Sequence, residues 1–301
     1  MHPGGMTSLT GIHVPLITPF TAEGTVATEA LAGLAHKAAD AGAVGLVALG
    51  TTAEVATLDH TERAMVIDVC ASVSRERGLR LTVGAGGSDT RASAQALQDL
   101  TQWPDIDSAL IPVPMFSRPG EAGVLAHFTH LATHSPLPLI VYHIPYRTGQ
   151  QLSGATLRAI GELPGIAAVK YSNGAIDTET IALLGDLPAD FAVLAGDDSF
   201  VSPLLALGAS GGILASAHLA TESFVDLVTA WRDGEAGRAR ELGARLARLS
   251  ATLFAEPNPT VIKGVLHATG EIPTADVRLP LLPASQDSVD QALKALAEAG
   301  V

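Results

Sequence analysis

Eight short runs, apolar on both faces, recur along this chain, and most are bounded by turn residues and followed by a helix-like amphipathic stretch. They are Val14-Pro15-Leu16-Ile17, Val44 to Leu49, Leu81-Thr82-Val83, Ala109-Leu110-Ile111, Leu139-Ile140-Val141-Tyr142, Ile166 to Val169, Phe191 to Leu194 and Gly212-Ile213-Leu214. A strand covered by helices on both faces loses the in–out alternation of a half-exposed strand, so such runs read as parallel strands. Strands alternating with helices imply a parallel sheet. Eight units over roughly 210 residues fit a closed barrel better than two dinucleotide-binding halves. The doubly wound alternative would carry a Gly-x-Gly-x-x-Gly turn after an early strand. The nearest match, Gly84-Ala85-Gly86-Gly87-Ser88-Asp89, has Asp89 where the third glycine belongs, so no such cofactor is expected. The predicted fold is α/β: a (β/α)8 TIM barrel over 11–217, a flexible leader over 1–10, and a C-terminal helical region packed on the barrel over 218–301. Glu256-Pro257-Asn258-Pro259 and Leu279 to Pro283 interrupt that last region.

With 47% hydrophobic and 16% charged residues among 301, the chain can bury a large core. Its formal net charge is −13, from 18 Lys and Arg against 31 Asp and Glu. That balance argues against nucleic-acid and membrane-surface partners, which want a basic face, and means an anionic substrate needs a local positive group. Cys70 is the single cysteine and lies in an apolar pattern, so no intramolecular disulfide can form. Met1 to Gly5 lack the apolar core of a secretory signal, with a start expected at or near Met6. No apolar run approaches the ~20 residues that span a bilayer. The expected compartment is the cytoplasm.

Barrel chemistry gathers at the carboxyl ends of strands. Those ends here carry Gly50-Thr51-Thr52-Ala53-Glu54, Tyr142-His143-Ile144-Pro145-Tyr146-Arg147-Thr148-Gly149, Lys170 and Gly196-Asp197-Asp198. Strand alternation sets Lys170 on the face of Ala168 and Ile166, which is the lumen if Tyr142 also points inward. An ammonium in an apolar lumen is costly unless paired or neutral. The alternative is a lysine whose stem covers apolar surface while its head reaches water. At the ordinary pKa of ~10.4, roughly one lysine in 2,500 is neutral at pH 7. Desolvation raises that fraction and yields an amine able to form an imine with a ketone. Tyr142 could relay protons to the carbinolamine; its plain alternative is a core tyrosine. His127, His130 and His134 fall at helical spacing, but no carboxylate completes a zinc set, so they read as a solvated or interface face and no metal is expected.

Gly50-Thr51-Thr52-x-Glu54-x-Ala56-Thr57-Leu58, Tyr142-x-Ile144-Pro145-x-Arg147-Thr148-Gly149 and the strand-end Lys170 resemble the dihydrodipicolinate synthase/N-acetylneuraminate lyase family. So do Gly196-Asp197-Asp198, Gly211-Gly212-Ile213 and Glu256-Pro257-Asn258-Pro259. The resemblance runs from about Gly11 onward, with the motifs in order. It implies a class I lyase in which Lys170 forms a Schiff base with pyruvate and Tyr142 is the general acid/base. Thr51 and Thr52 would hold the pyruvate carboxylate and join a proton relay. Arg147 would attract the carboxylate of an aldehyde, a task suited to a guanidinium on so acidic a chain. Gly196 and Ile213 would line the imine pocket. No cofactor is implied, and the assembly would be a homodimer or homotetramer. Arg147 favours the synthase branch, with aspartate semialdehyde as second substrate in lysine biosynthesis. The alternatives are a 2-keto-3-deoxy sugar-acid aldolase or dehydratase, a hydroxyproline-pathway deaminase, and a barrel that binds without catalysis.

The chain departs from the family pattern in several places. Pro114-Met115-Phe116-Ser117-Arg118-Pro119 has Phe116 where the family places a tyrosine that reaches a neighbouring subunit's site and completes the relay. Tyr171-Ser172-Asn173 stand for the synthase's usual Glu-Ala-Thr, His143 for an asparagine and Ala53 for a glycine. At the positions matching a lysine-feedback site stand Val55, Arg63, Ala92 and Met115, with only His60 keeping the pattern, which predicts weak or absent feedback.

Overall fold

The computed structural model describes residues 9–300. Eight parallel strands form a closed barrel in sequence order: β1 (Gly11–Pro15), β2 (Gly45–Ala48), β3 (Arg80–Gly84), β4 (Ser108–Pro112), β5 (Leu139–His143), β6 (Ile166–Tyr171), β7 (Ala192–Ala195) and β8 (Gly211–Ile213). The interleaved helices are α1 (Thr28–Asp40), α2 (His60–Arg77), α3 (Thr90–Asp99), α4 (Gly120–His134), α5 (Pro145–Thr148), α6 (Gly154–Gly161), α7 (Thr178–Leu184) and α8 (Val201–Ala206). After β8 come α9 (Ala217–Arg232), α10 (Ala236–Leu253), α11 (Thr260–Ala268) and α12 (Gln286–Ala299). The predicted barrel is therefore what the chain forms. Of the expected leader, residues 1–8 lie outside the described residues, and Leu9 is already buried.

Two boundaries differ from the sequence reading. The first strand begins at Gly11, not Val14, and ends at Pro15, whose missing N–H suits a strand end. The sixth strand does not end at Lys170 but runs one residue further, to Tyr171. The pairing of β5 with β6 slips between Leu139 and Ile140, so Ile166 pairs with Leu139 but Ala168 with Ile140. Alternation is thereby interrupted between Ile166 and Ala168 and holds from Ala168 to Lys170.

The chain divides into two compact units, one of residues 9–11 with 84–212 and one of residues 12–83 with 213 onward. In the first, Asp89 is the N-cap of α3 and accepts from Ala92 N–H, which explains the aspartate in the glycine-rich turn. A side chain at Gly211 would strike the carbonyl of Gly11 at 2.0 Å, so only glycine lets the backbone of β1 approach there. In the second, α2 opens on a reciprocal Asp59–Glu62 capping box and closes on left-handed Gly78. Cys70 is buried in α2, and burial pushes its thiol pKa up to about 12, as expected of an inert filler.

Candidate active site

Within 84–212, Tyr142 and Lys170 are register partners on neighbouring strands, and Lys170 Nζ stands 4.3 Å from the centroid of the Tyr142 ring. Lys170 is only 6% exposed. Desolvation pulls its pKa down to about 8; Asp198 and Asp197 oppose that pull and Arg147 adds to it. At about 8, roughly one amine in eleven is neutral at pH 7. Burial pushes the Tyr142 phenol up to about 12, so it stays protonated and can donate. Asp197 accepts from Gly174 N–H, and burial raises its carboxyl pKa.

Gly196 follows β7 directly. A carbon at its Cβ position would lie 2.2 Å from Ser172 Oγ, 2.8 Å from Lys170 Cγ and 2.9 Å from Lys170 Cε. Glycine there keeps clear the space beside the lysine stem. Arg147 sits exposed in α5, a single turn fixed by Pro145 at its start and left-handed Gly149 at its end, with its guanidinium 5.0 Å from the Tyr146 ring centre. Two departures from the family pattern fall away from Lys170. His143 and Tyr171 are register partners one residue beyond Tyr142 and Lys170, hence on the opposite face. Their rings lie 5.5 Å apart, the Tyr171 hydroxyl meets Thr180 Oγ1 at 3.0 Å, and burial lowers the His143 pKa to about 4. They are a packing pair behind the sheet. Phe116 is the centre of a tight turn with φ 68°, Ser117 N–H reaching back to the Met115 carbonyl. A bulky residue in that region is strained, and the turn holds the ring out, 96% exposed.

Within the other unit, Thr51–Ala53 form one 3-10 turn after β2, followed by Glu54 in left-handed conformation, φ 55°. Thr52 is buried and its hydroxyl oxygen accepts from Asn258 Nδ2 at 3.0 Å. Glu54, also buried, pairs with Lys263 Nζ at 2.5 Å and accepts from Arg278 N–H at 2.8 Å. Lys263 also donates to the Asp276 carbonyl and lies 4.1 Å from the Phe20 ring centre. Ile213 ends β8 and is buried. Asn258 is marked in the sequence only as part of the Glu256-Pro257-Asn258-Pro259 motif, with no role given, and Lys263 is not marked at all, although a lone lysine inside the apolar α11 is a readable sign of a buried partner. The three histidines do not share one environment. His127 is buried, meets Thr90 Oγ1 at 2.8 Å and has a pKa lowered by burial to about 4, while His130 and His134 are exposed and stack at 4.2 Å.

A closed parallel barrel with a desolvated lysine in its sixth strand, lying over a tyrosine of the fifth, is a barrel of the class I aldolase type. The chain belongs to the dihydrodipicolinate synthetase family, whose model matches residues 8–299. It is 37% identical over 287 residues to the 4-hydroxy-tetrahydrodipicolinate synthase of Moorella thermoacetica, covering 95% of this chain and 97% of that one. The dihydrodipicolinate synthase of Thermotoga maritima superposes with a TM-score of 0.93 at 26% identity, over 98% of this chain and 99% of that one. The chloride-inhibited synthase of Acinetobacter baumannii, solved with pyruvate, gives 0.91 at 31% identity over 98% and 100%.

Proposed function

We propose that this protein is a 4-hydroxy-tetrahydrodipicolinate synthase that condenses pyruvate with aspartate semialdehyde. The observation that carries the reading is the buried Lys170 amine over the Tyr142 ring, with its pKa drawn down to about 8. Neutral Nζ attacks C2 of pyruvate, forming the C–N bond, and the nitrogen's proton passes to the former carbonyl oxygen. Protonation of that hydroxyl expels water and leaves the imine. Loss of a C3 proton gives the enamine, whose C3 attacks the aldehyde carbon while the aldehyde oxygen takes up a proton. The substrate's own amine then displaces Lys170, closing the ring and freeing the enzyme. Tyr142 is the group that carries protons on and off the reacting oxygens and C3.

Thr51 and Thr52 hold the pyruvate carboxylate. The bond from Asn258 favours this, because a hydroxyl that accepts from an amide has its own hydrogen to give to an anion. Arg147 draws in the aldehyde's carboxylate, its exposure suiting first capture. Gly196 and Ile213 wall the imine pocket. The working form is a cytoplasmic homodimer or homotetramer, in which the outward Phe116 ring meets a second copy. Among the described residues no helix is long and apolar enough to cross a membrane, and no group of three or more His, Cys, Asp or Glu is placed to hold a metal.

The test is pyruvate with borohydride, followed by peptide mapping, and a condensation assay with aspartate semialdehyde. A reduced pyruvyl adduct on Lys170, lost in Lys170→Ala, is expected. An adduct elsewhere, or none, defeats the imine; trapping without condensation defeats the choice of aldehyde.

A further inference from the structure

We propose that Ser172 supplies, from within this chain, the relay hydroxyl that Phe116 lacks, standing between the Tyr142 phenol and the oxygens of the substrate. The proposal rests on the imine reading above and assigns one more catalytic residue to the same site. Ser172 directly follows β6, two residues after Lys170, so its side chain returns to the face of the lysine. It is fully buried, and its Oγ has no hydrogen-bond partner of normal geometry. A buried hydroxyl without a well-formed hydrogen bond is costly, so one kept beside the Tyr142 phenol calls for a partner that arrives with the substrate.

The surroundings say what that partner is. Ser172 Oγ and the Lys170 stem flank the same small space, since a carbon on Gly196 would touch both. The Tyr142 ring lies under the lysine amine, and the serine hydroxyl is close enough to favour the phenolate. Phe116, by contrast, has no hydroxyl, and its strained turn points the ring off the surface of its own chain. As the aldehyde oxygen gains charge, Ser172 gives it its own proton and takes the Tyr142 proton in the same step. One O–H bond breaks and one forms at Ser172, which is unchanged overall, while Tyr142 is left as the phenolate and regains its proton from the substrate's ammonium, which must lose one before it can displace Lys170.

The test compares the parent enzyme with Ser172→Ala, Ser172→Thr and Phe116→Tyr, reading pyruvate trapping, kcat and KM for both substrates, and the solvent isotope effect on kcat. Ser172→Ala should lower kcat ~10²-fold, the lower range for a positioned proton carrier, with trapping retained. Ser172→Thr should recover at least tenfold of that loss, because it keeps the hydroxyl. Phe116→Tyr should stay within about threefold of the parent, and the solvent isotope effect should change in the alanine variant alone. Ser172→Ala within twofold of the parent, or Ala and Thr variants equally impaired, would overturn the assignment. A large gain from Phe116→Tyr would also overturn it, by giving the relay back to the loop. Absence of trapping in the parent would instead defeat the imine reading itself.

Discussion

If burial brings the Lys170 pKa to about 8, pH should govern imine formation within the working range. The neutral fraction at pH 7 is then roughly one in eleven, against one in 2,500 for an ordinary lysine. That is ~200-fold more nucleophile, or about 3 kcal/mol of barrier to amine attack. The sign follows from the base: protonation removes the nucleophile, so the rate falls about tenfold for each pH unit below 7 and levels off above about 8. The assay is trapping of pyruvate under saturating cyanoborohydride, so that imine formation limits the rate, scanned across pH. Two variants should shift the inflection in opposite directions. Asp198→Asn removes a carboxylate that supports the ammonium and moves the inflection to lower pH, whereas Arg147→Met removes a repelling cation and moves it higher. An inflection near 10, or both variants moving the same way, would refute the desolvated amine.

Asn258→Asp should raise the pyruvate KM by ~10–100-fold, with kcat changing less. The new carboxylate would accept from the Thr52 hydroxyl and turn that donor away from the substrate, a charge-assisted bond of roughly 1.5–3 kcal/mol. An unchanged KM in steady-state kinetics would count against Thr52 as the carboxylate's holder. Lys263→Met strands Glu54 in the core and should cost roughly 3–5 kcal/mol, read as a fall in the urea midpoint, with part returned by adding Glu54→Gln. If Lys263→Met is as stable as the parent, the pair is not a tie for the Thr51–Thr52 turn. Millimolar lysine should leave the condensation rate nearly unchanged, since Val55 and Ala92 offer no polar side chain and the Arg63 guanidinium already donates to the Val55 and Leu58 carbonyls. Inhibition at sub-millimolar lysine would contradict this.

The barrel is legible in the order of residues along the chain, and so is the place of its lysine at a strand end. Runs apolar on both faces have one common explanation, strands covered by helices, and eight of them fit a closed barrel. A lysine ending such a run, after a tyrosine-ended run, already suggests an amine kept from water. What the sequence left open was each side chain's surroundings. Alternation could set Lys170 on a face, but only the pairing of β5 with β6, with its slip after Leu139, put Nζ over Tyr142 and sent His143 and Tyr171 behind the sheet. Nothing local joins Glu54 to Lys263, or Thr52 to Asn258, because contacts between residues more than two hundred positions apart exist only once the chain has folded. Ser172 shows the same limit at close range. Its place two residues after Lys170 was plain, while its burial, its unpaired hydroxyl and the gap held open by Gly196 are properties of packing, which tertiary structure alone decides.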